Sequence, residues 1–162
     1  MGIRETVSEK PVVSICLATV VIVGAIAYTV RSVMPSDAYT KAYFTTDDGQ
    51  TLFTASMDQR APFDHHGNPA YRAYVYSCDG GKTTFVGYLE RCTPQGLKRL
   101  DALQADYDAG KTHTPPLPTP GETEVKEPGP GNPWVLCTNY EEAKKITNVQ
   151  CPGGGSPEIQ FP

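Results

Sequence analysis

The chain has 162 residues, a net charge of −4, 15 prolines and 15 glycines. This length suits one small domain with an appendage. The scattered lysines and arginines lack the basic stripe that phosphate binding needs, which argues against a nucleic-acid partner.

Residues 11–30 form an apolar stretch of about twenty residues without a charge. A helix of that length, at about 1.5 Å per residue, matches the roughly 30 Å hydrocarbon core of a bilayer. We therefore predict a transmembrane helix over residues 11–30, preceded by a cytoplasmic tail over residues 1–10.

Charges on either side of this stretch predict its orientation. Arg4 and Lys10 precede it and Arg31 follows it, which favours a cytoplasmic N-terminus and an extracytoplasmic C-terminal domain. Residues 25–27 match the small-x-small site of a cleavable signal peptide. Because the apolar run continues past that site, an uncleaved signal anchor is favoured, and a secreted protein released after Ala27 is the alternative.

A near-repeat follows the predicted juxtamembrane spacer, residues 31–40. Segments 45–53 and 77–85 both fit hydroxyl-x-Asp-x-Gly-x-Thr-x-Phe, thirty-two residues apart. Each segment lies between β-rich runs and predicts a hairpin tip, in which aspartate accepts backbone hydrogen bonds and glycine supplies a positive φ. The predicted structural-turn residues are Asp47, Gly49, Thr51, Asp79, Gly81 and Thr83.

This pattern resembles the Asp-box, a hairpin-turn motif of sialidases and other β-propeller proteins. The Asp-box is structural and lies away from the catalytic residues, so the resemblance implies two stable turns and no activity. The aromatic residue that usually follows the threonine is displaced here by one position.

The two hairpins predict neighbouring pairs in one antiparallel sheet. A four-residue tip in the second hairpin places Tyr76 opposite Phe85 and Tyr74 opposite Gly87, where the ring would cover the glycine. The first hairpin, with strands near residues 42–46 and 51–56, pairs Phe44 with Phe53.

A helix is predicted to follow the hairpins and to cover the sheet. Thr93 is a good N-cap, Pro94 suits the first helical position, and Gly110 suits the end. The apolar stripe of this helix consists of Leu97, Leu100, Leu103 and Tyr107. The fold class predicted for residues 41–110 is therefore α+β.

Two further segments complete the predicted organisation. Residues 111–133 contain many prolines and predict an extended linker. Residues 134–162 are expected to pack back on the domain through residues 134–136 and Ile146.

Four cysteines lie beyond the apolar stretch and are candidates for disulfides: Cys78, Cys92, Cys137 and Cys151. An even number in a small exported domain permits two disulfides in three pairings. A straight hairpin would hold Cys78 about 30 Å from Cys92, which argues against that pair. Either the bridges reach the C-terminal segment or some thiols stay free.

The segment Asp64-His65-His66 holds the best candidates for metal ligands. Zinc needs three or four converging ligands, whereas adjacent histidines on an extended segment point apart. The following Gly67 indicates a turn, so we predict a structural loop rather than a metal site. No cofactor is predicted.

Other chemistry receives less support from the sequence. Asp47, Asp48 and Asp79 lack the further carboxylates of a calcium loop, and no C-x-x-C motif prepares a redox thiol. Glu90 and Arg91, with Arg72 opposite Leu89, are interpreted as a surface ion pair, with an acid–cation pair in a cleft as the alternative.

In FTTDDGQTLF, PFDHHGNPAYRAYVYSCDGG and FVGYLERCTP the chain resembles single-span proteins of planctomycete-type bacteria. That resemblance implies the same topology and no particular activity. The leading hypothesis is a non-enzymatic, membrane-anchored interaction or structural module of the cell envelope, with an envelope protein as partner. The alternative is a small envelope metal-binding protein or enzyme that uses histidine or cysteine.

Overall fold

The computed structural model describes residues 40–162 continuously, together with residues 22, 24, 25, 28 and 29. Two compact units divide the chain, residues 1–36 and residues 37–162. The five described residues of the first unit are helical. No helix among the described residues has the length and apolar character to cross a bilayer. Most of the predicted span, 11–30, and all of the predicted tail, 1–10, lie outside the described residues.

The second unit is an α+β fold built on an antiparallel sheet, as predicted, and it has eight strands and two helices where two hairpins and one covering helix were expected. Its strands are β1 Lys41–Thr45, β2 Phe53–Ser56, β3 Phe63–His65, β4 Asn68–Ser77, β5 Phe85–Cys92, β6 Thr123–Lys126, β7 Val135–Leu136 and β8 Glu158–Gln160. Its helices are α1 Pro94–Asp108 and α2 Tyr140–Thr147, with a short 3₁₀ turn at Pro120–Glu122.

Strand β4 organises the sheet, whose main order is β2-β1-β4-β5-β6-β7. Strands β3 and β8 also pair with β4, at its N-terminal and C-terminal ends respectively. The ten residues of β4 therefore contact four other strands, and β4 carries buried small and branched side chains such as Ala73 and Val75. Phe44 of β1 is fully buried in a cluster with Phe53 and Phe63.

The register of both hairpins was predicted in part. Phe44 pairs with Phe53 and Tyr76 with Phe85, as expected. Between Val75 and Tyr74 the β4–β5 register shifts by one residue, because Gly87 of β5 is unpaired in a β-bulge. The predicted pairing of Tyr74 with Gly87 was wrong, and Tyr74 lies opposite Tyr88.

Helix α1 begins as its sequence predicts. The Thr93 side chain accepts a hydrogen bond from the Gly96 amide at 3.0 Å, Pro94 occupies the first turn, and Gly110 follows the end with φ +69°. The predicted apolar stripe is less buried than expected. Leu100 is fully buried, whereas Tyr107 stays 40% exposed. Tyr107 lines an open cleft between helix α1 and residues 115–118.

The interval 111–133 differs from the linker that its prolines suggested. It contains β6, which pairs with β5 on one side and β7 on the other. Val125 is buried and its strand fills the sheet. Prolines occupy the flanks of this strand, where they cost no ladder hydrogen bond.

The C-terminal segment packs on the sheet through two connections. Strand β8 adds to the end of β4, and Cys78 forms a disulfide with Cys151. Cys92 and Cys137 are free thiols. A bridge to the C-terminal segment and free thiols were the two outcomes that the hairpin geometry allowed, and both occur.

Candidate functional site

The two repeated turns have the same hydrogen-bond network. Asp47 accepts hydrogen bonds from the Thr51 amide at 2.9 Å and the Thr51 hydroxyl at 2.5 Å. Asp79 accepts the corresponding pair from Thr83, at 2.9 and 2.6 Å. These hydrogen bonds hold the pKa of each aspartate at about 2.

A buried hydroxyl completes each network. Thr45 in the first turn and Ser77 in the second are fully buried, and each donates to the turn aspartate, at 2.7 and 2.8 Å. Each also accepts from the glycine amide, at 2.9 Å for Gly49 and 2.8 Å for Gly81. The aspartate, the hydroxyl and the glycine amide that the two turns share are thereby hydrogen-bonded within each turn, which is a structural role.

The turns differ at one position. Gly80 of the second turn is replaced in the first by Asp48, which takes φ +61°. Asp48 forms an ion pair with Lys126, whose side chain is almost fully buried. The backbone carbonyl of Asp48 accepts a hydrogen bond from the Gly129 amide at 2.9 Å. The aspartate thus links the turn to β6, which a glycine could not do.

An open cleft of about 750 Å³ lies between the sheet, helix α1, residues 57–61 and residues 115–118. We call it the Glu90 cleft. Its apolar lining comes from Met57, Leu100, Tyr107, Leu117 and the neighbouring prolines. Its polar lining includes Glu90 and Arg72, which lie directly opposite each other on β5 and β4.

The bulge at Gly87 places Glu90 in this cleft. Without the bulge Arg72 would face Leu89, as the sequence predicted, and Glu90 would point to the other side of the sheet, because side chains alternate along a strand. With the bulge, Glu90 and Arg72 share one face. The sequence left two interpretations of these charges, a surface ion pair or an acid and a cation in a cleft. Glu90 and Arg72 lie in a cleft.

Glu90 is a largely desolvated carboxylate. Burial raises its pKa, while the positive charge of Arg72 and a hydrogen bond from the Tyr74 hydroxyl, 3.3 Å from Oε1, oppose that rise. Tyr74 in turn stacks on Tyr88, with ring centroids 4.4 Å apart. The Arg72 charge is the larger of the two effects that favour the carboxylate, and the Tyr74 hydroxyl adds a hydrogen bond.

Arg72 keeps its hydrogen-bonding capacity. Within residues 40–162 its guanidinium forms no hydrogen bond or ion pair, and lies 5.6 Å from the centroid of the Tyr74 ring. The other two arginines of the cleft are committed. Arg60 binds Gln104 at 2.7 Å and Asp101 at 3.4 Å.

The third arginine, Arg91, is paired with Glu124 at 2.7 Å and lies over the ring of Trp134, 4.3 Å from the centroid. Trp134 also contacts Tyr71, with ring centroids 5.0 Å apart. This cluster explains how residues 134–136 attach to the sheet. It also leaves Arg72 as the cleft arginine with unused donors among the described residues.

The two free thiols occupy different surroundings. Cys92 lines the cleft but is buried, and that burial raises the pKa of its thiol. Cys137 is half-buried on the chain after β7. A raised pKa lowers the fraction of thiolate, which is the nucleophilic form.

Of the residues predicted to form a loop, Asp64 and His65 lie at the end of β3, and His66 lies in the turn that leads to β4. His66 takes φ +54°, which brings its ring within 4.3 Å of the His65 ring, so the two side chains do not point apart as predicted. His65 stacks on Phe53 at 3.8 Å, and the Asp64 carboxylate accepts from the Gly67 amide at 3.3 Å. In the described part of the chain, no three histidine, cysteine, aspartate or glutamate residues gather as metal ligands.

Comparison of the chain with family models, with curated proteins and with solved structures found no match.

Proposed function

We propose that residues 40–162 form a binding module, that the apolar segment 11–30 anchors it to a membrane, and that the ligand occupies the Glu90 cleft. One observation carries the location of the site. Arg72 and Glu90 lie side by side in a cleft of about 750 Å³ with unused hydrogen-bonding capacity. Small-molecule and peptide sites have this volume and this combination of apolar walls with few polar groups.

The disulfide supports an extracytoplasmic location. Disulfides persist in oxidising compartments and are rare in the reducing cytosol. The bond between Cys78 and Cys151 joins segments 73 residues apart and ties the chain end to the sheet. An oxidising compartment on the far side of the membrane agrees with the orientation that Arg4 and Lys10 favour.

Binding is favoured over cysteine-based catalysis by the state of the cleft thiol. A nucleophilic cysteine is activated by a lowered pKa or an adjacent base, whereas burial raises the pKa of Cys92. Glu90, its nearest acidic neighbour along the strand, raises that pKa further by repelling the thiolate.

A capture experiment tests the role of the cleft. The tagged full-length protein is solubilised in mild detergent from its own cells, and bound molecules are identified for the wild type, Arg72→Gln and Glu141→Gln. Glu141 is exposed on α2 and serves as the matched control. We expect one reproducible partner or ligand with the wild type and the control, and its loss with Arg72→Gln. Equal retention by all three proteins would contradict a role for the cleft.

Membrane fractionation tests the anchor separately. The full-length protein is expected to stay with the membranes after an alkaline carbonate wash and to enter solution only with detergent. An intact chain in the aqueous fraction, with residues 11–30 still attached, would contradict the anchor.

A further inference from the structure

Five charged residues line the Glu90 cleft: Asp58, Arg60, Arg72, Glu90 and Arg91. Of these, Arg72 and Glu90 lie opposite each other on the sheet without a direct ion pair. Arg72 and Glu90 are direct cross-strand neighbours, and such side chains are close enough to pair. They form no ion pair, because the Arg72 guanidinium lies over the Tyr74 ring and Glu90 accepts from the Tyr74 hydroxyl. Tyr74 therefore contacts both side chains, through its ring and through its hydroxyl.

Both charged residues line the cleft and keep some contact with solvent. Among the described residues, no buried side-chain nitrogen or oxygen lacks a hydrogen-bond partner. Glu90 Oε2 and the Arg72 nitrogens form no hydrogen bond within residues 40–162, so these atoms contact solvent. Both residues are half-buried, and both line the cleft.

We propose that the Glu90 cleft binds a zwitterionic α-amino acid group with an apolar side chain, in which Glu90 accepts from the ammonium and Arg72 donates to the carboxylate. This inference rests on the proposed function, since it specifies the ligand of the same cleft.

Charge selects such a ligand over simple ions. A ligand with only a carboxylate is attracted by Arg72 but repelled by the Glu90 carboxylate. A ligand with only an ammonium is attracted by Glu90 but repelled by Arg72. A zwitterion satisfies both groups. The guanidinium fork matches a carboxylate with two parallel hydrogen bonds.

The remaining walls accommodate the side chain. Leu117 and Tyr107 provide apolar surface in the lining of the same cleft. The volume of about 750 Å³ is large enough for an aromatic side chain with room beyond it. Tyr107 and Leu117 are 40% and 71% exposed, so a bound apolar group would cover surface that solvent now contacts.

Three matched probes separate the two charged groups of the ligand: L-phenylalanine, 3-phenylpropionate without the ammonium, and phenethylamine without the carboxylate. Binding to the full-length protein in detergent is measured by calorimetry at pH 7. We expect L-phenylalanine to bind about tenfold or more tightly than either analogue, since each lost charge-assisted hydrogen bond weakens binding by about that factor.

Two variants assign the groups, with circular dichroism as the check that each is folded. Glu90→Gln removes the acceptor for the ammonium and should abolish the preference for L-phenylalanine over 3-phenylpropionate. Arg72→Gln removes the donor to the carboxylate and should abolish the preference for L-phenylalanine over phenethylamine. A purely structural role would weaken all three probes alike. Glu141→Gln should leave every preference unchanged.

The inference is overturned if L-phenylalanine, D-phenylalanine and L-leucine all fail to bind at 10 mM (roughly the weakest range of a specific site). It is also overturned if the variants leave the preferences intact. Failure here would leave the proposed function standing if Arg72→Gln still abolished capture of the native partner, because the cleft would then take a ligand of other chemistry.

Discussion

At the residue scale, Glu90 shows how a buried carboxylate can lower stability. Burial raises its pKa above the ordinary glutamate value, so the folded state holds the proton more tightly than the unfolded state. Stability from this residue is therefore complete below the ordinary pKa and is lost as the pH rises through the folded-state pKa. We expect the free energy of unfolding of Glu90→Gln, relative to that of the wild type, to be higher at pH 7 than at pH 4. Urea unfolding at both pH values measures this difference. An unchanged difference would contradict the desolvation of this carboxylate.

The turn aspartates respond to pH in the opposite sense. The pKa of Asp47 and of Asp79 is lowered to about 2 by hydrogen bonds from Thr51 and Thr83. A depressed folded-state pKa adds stability above the ordinary pKa of about 4, and that stability is lost as the pH falls towards 2. Unfolding free energies measured from pH 6 to pH 2 should fall steeply in the wild type. The slope should be shallower in Asp47→Asn and Asp79→Asn, and an identical slope would exclude these residues as its source.

Asp48 combines an unfavourable backbone conformation with a favourable ion pair. Its φ of +61° suits glycine, which occupies the equivalent position 80 in the second turn. Removing its carboxylate takes away the ionic partner of the buried Lys126 ammonium, which keeps its contact with the Trp134 ring at 5.3 Å. The loss of the ion pair costs more free energy than the relief of backbone strain gains. We expect Asp48→Gly to lower the free energy of unfolding by about 2 kcal/mol, and Asp48→Gly with Lys126→Met to recover most of it. A double-mutant cycle by chemical denaturation measures the coupling, and additive effects would contradict the pairing.

At the element scale, the β4–β5 hairpin depends on the bulge at Gly87. A Cβ at this position would lie 2.6 Å from Tyr76 Cδ2 and 2.6 Å from Val149 Cγ2. Both distances are shorter than real Cβ contacts, so the half-buried Tyr76 and Val149 side chains would have to shift. We expect Gly87→Ala to destabilise the protein by about 1–3 kcal/mol, as measured by thermal and urea unfolding. Gly153→Ala, where a Cβ meets nothing within 4 Å, should be close to neutral, and equal effects of the two would contradict the tight packing.

Elements with local chemistry were predictable from the sequence, and elements defined by distant contacts were not. The Asp47 turn and the Thr93 cap follow from hydrogen bonds that span four residues or fewer. The bulge depends on how Tyr76 and Val149 pack around Gly87, which no nearby residue specifies. Strand β6 forms because β5 and β7 flank it, although its proline-rich surroundings indicate a linker.

The candidate site illustrates the same limit. Glu90 and Arg72 were recognisable as a possible pair, but the register without the bulge placed Arg72 opposite Leu89. A one-residue shift moves a whole strand segment to the other face. The location of Glu90 in a cleft therefore depended on a feature that hydrophobic alternation does not reveal.

At the scale of the whole molecule, the disulfide joins the second turn to the C-terminal segment. Cys78 lies directly after β4, and Cys151 lies before β8, which pairs with the same strand. Strand β8 has three residues, which is the short end of the usual range for strands. The cross-link closes a loop of 73 residues, and the chain-entropy model assigns about 4 kcal/mol to a loop of that length.

We therefore expect Cys78→Ser with Cys151→Ser to lower the free energy of unfolding by about 4 kcal/mol and to expose residues 152–162 to limited proteolysis. Urea unfolding of the full-length protein in detergent, with and without reductant, measures the first effect, and mass spectrometry of the fragments measures the second. Cys137→Ser removes a half-buried free thiol and serves as the control, with little change in either measurement. Should the double variant keep the stability of the wild type and a protected C-terminus, the pairing of β8 with β4 and the surrounding contacts would hold the segment without the covalent link.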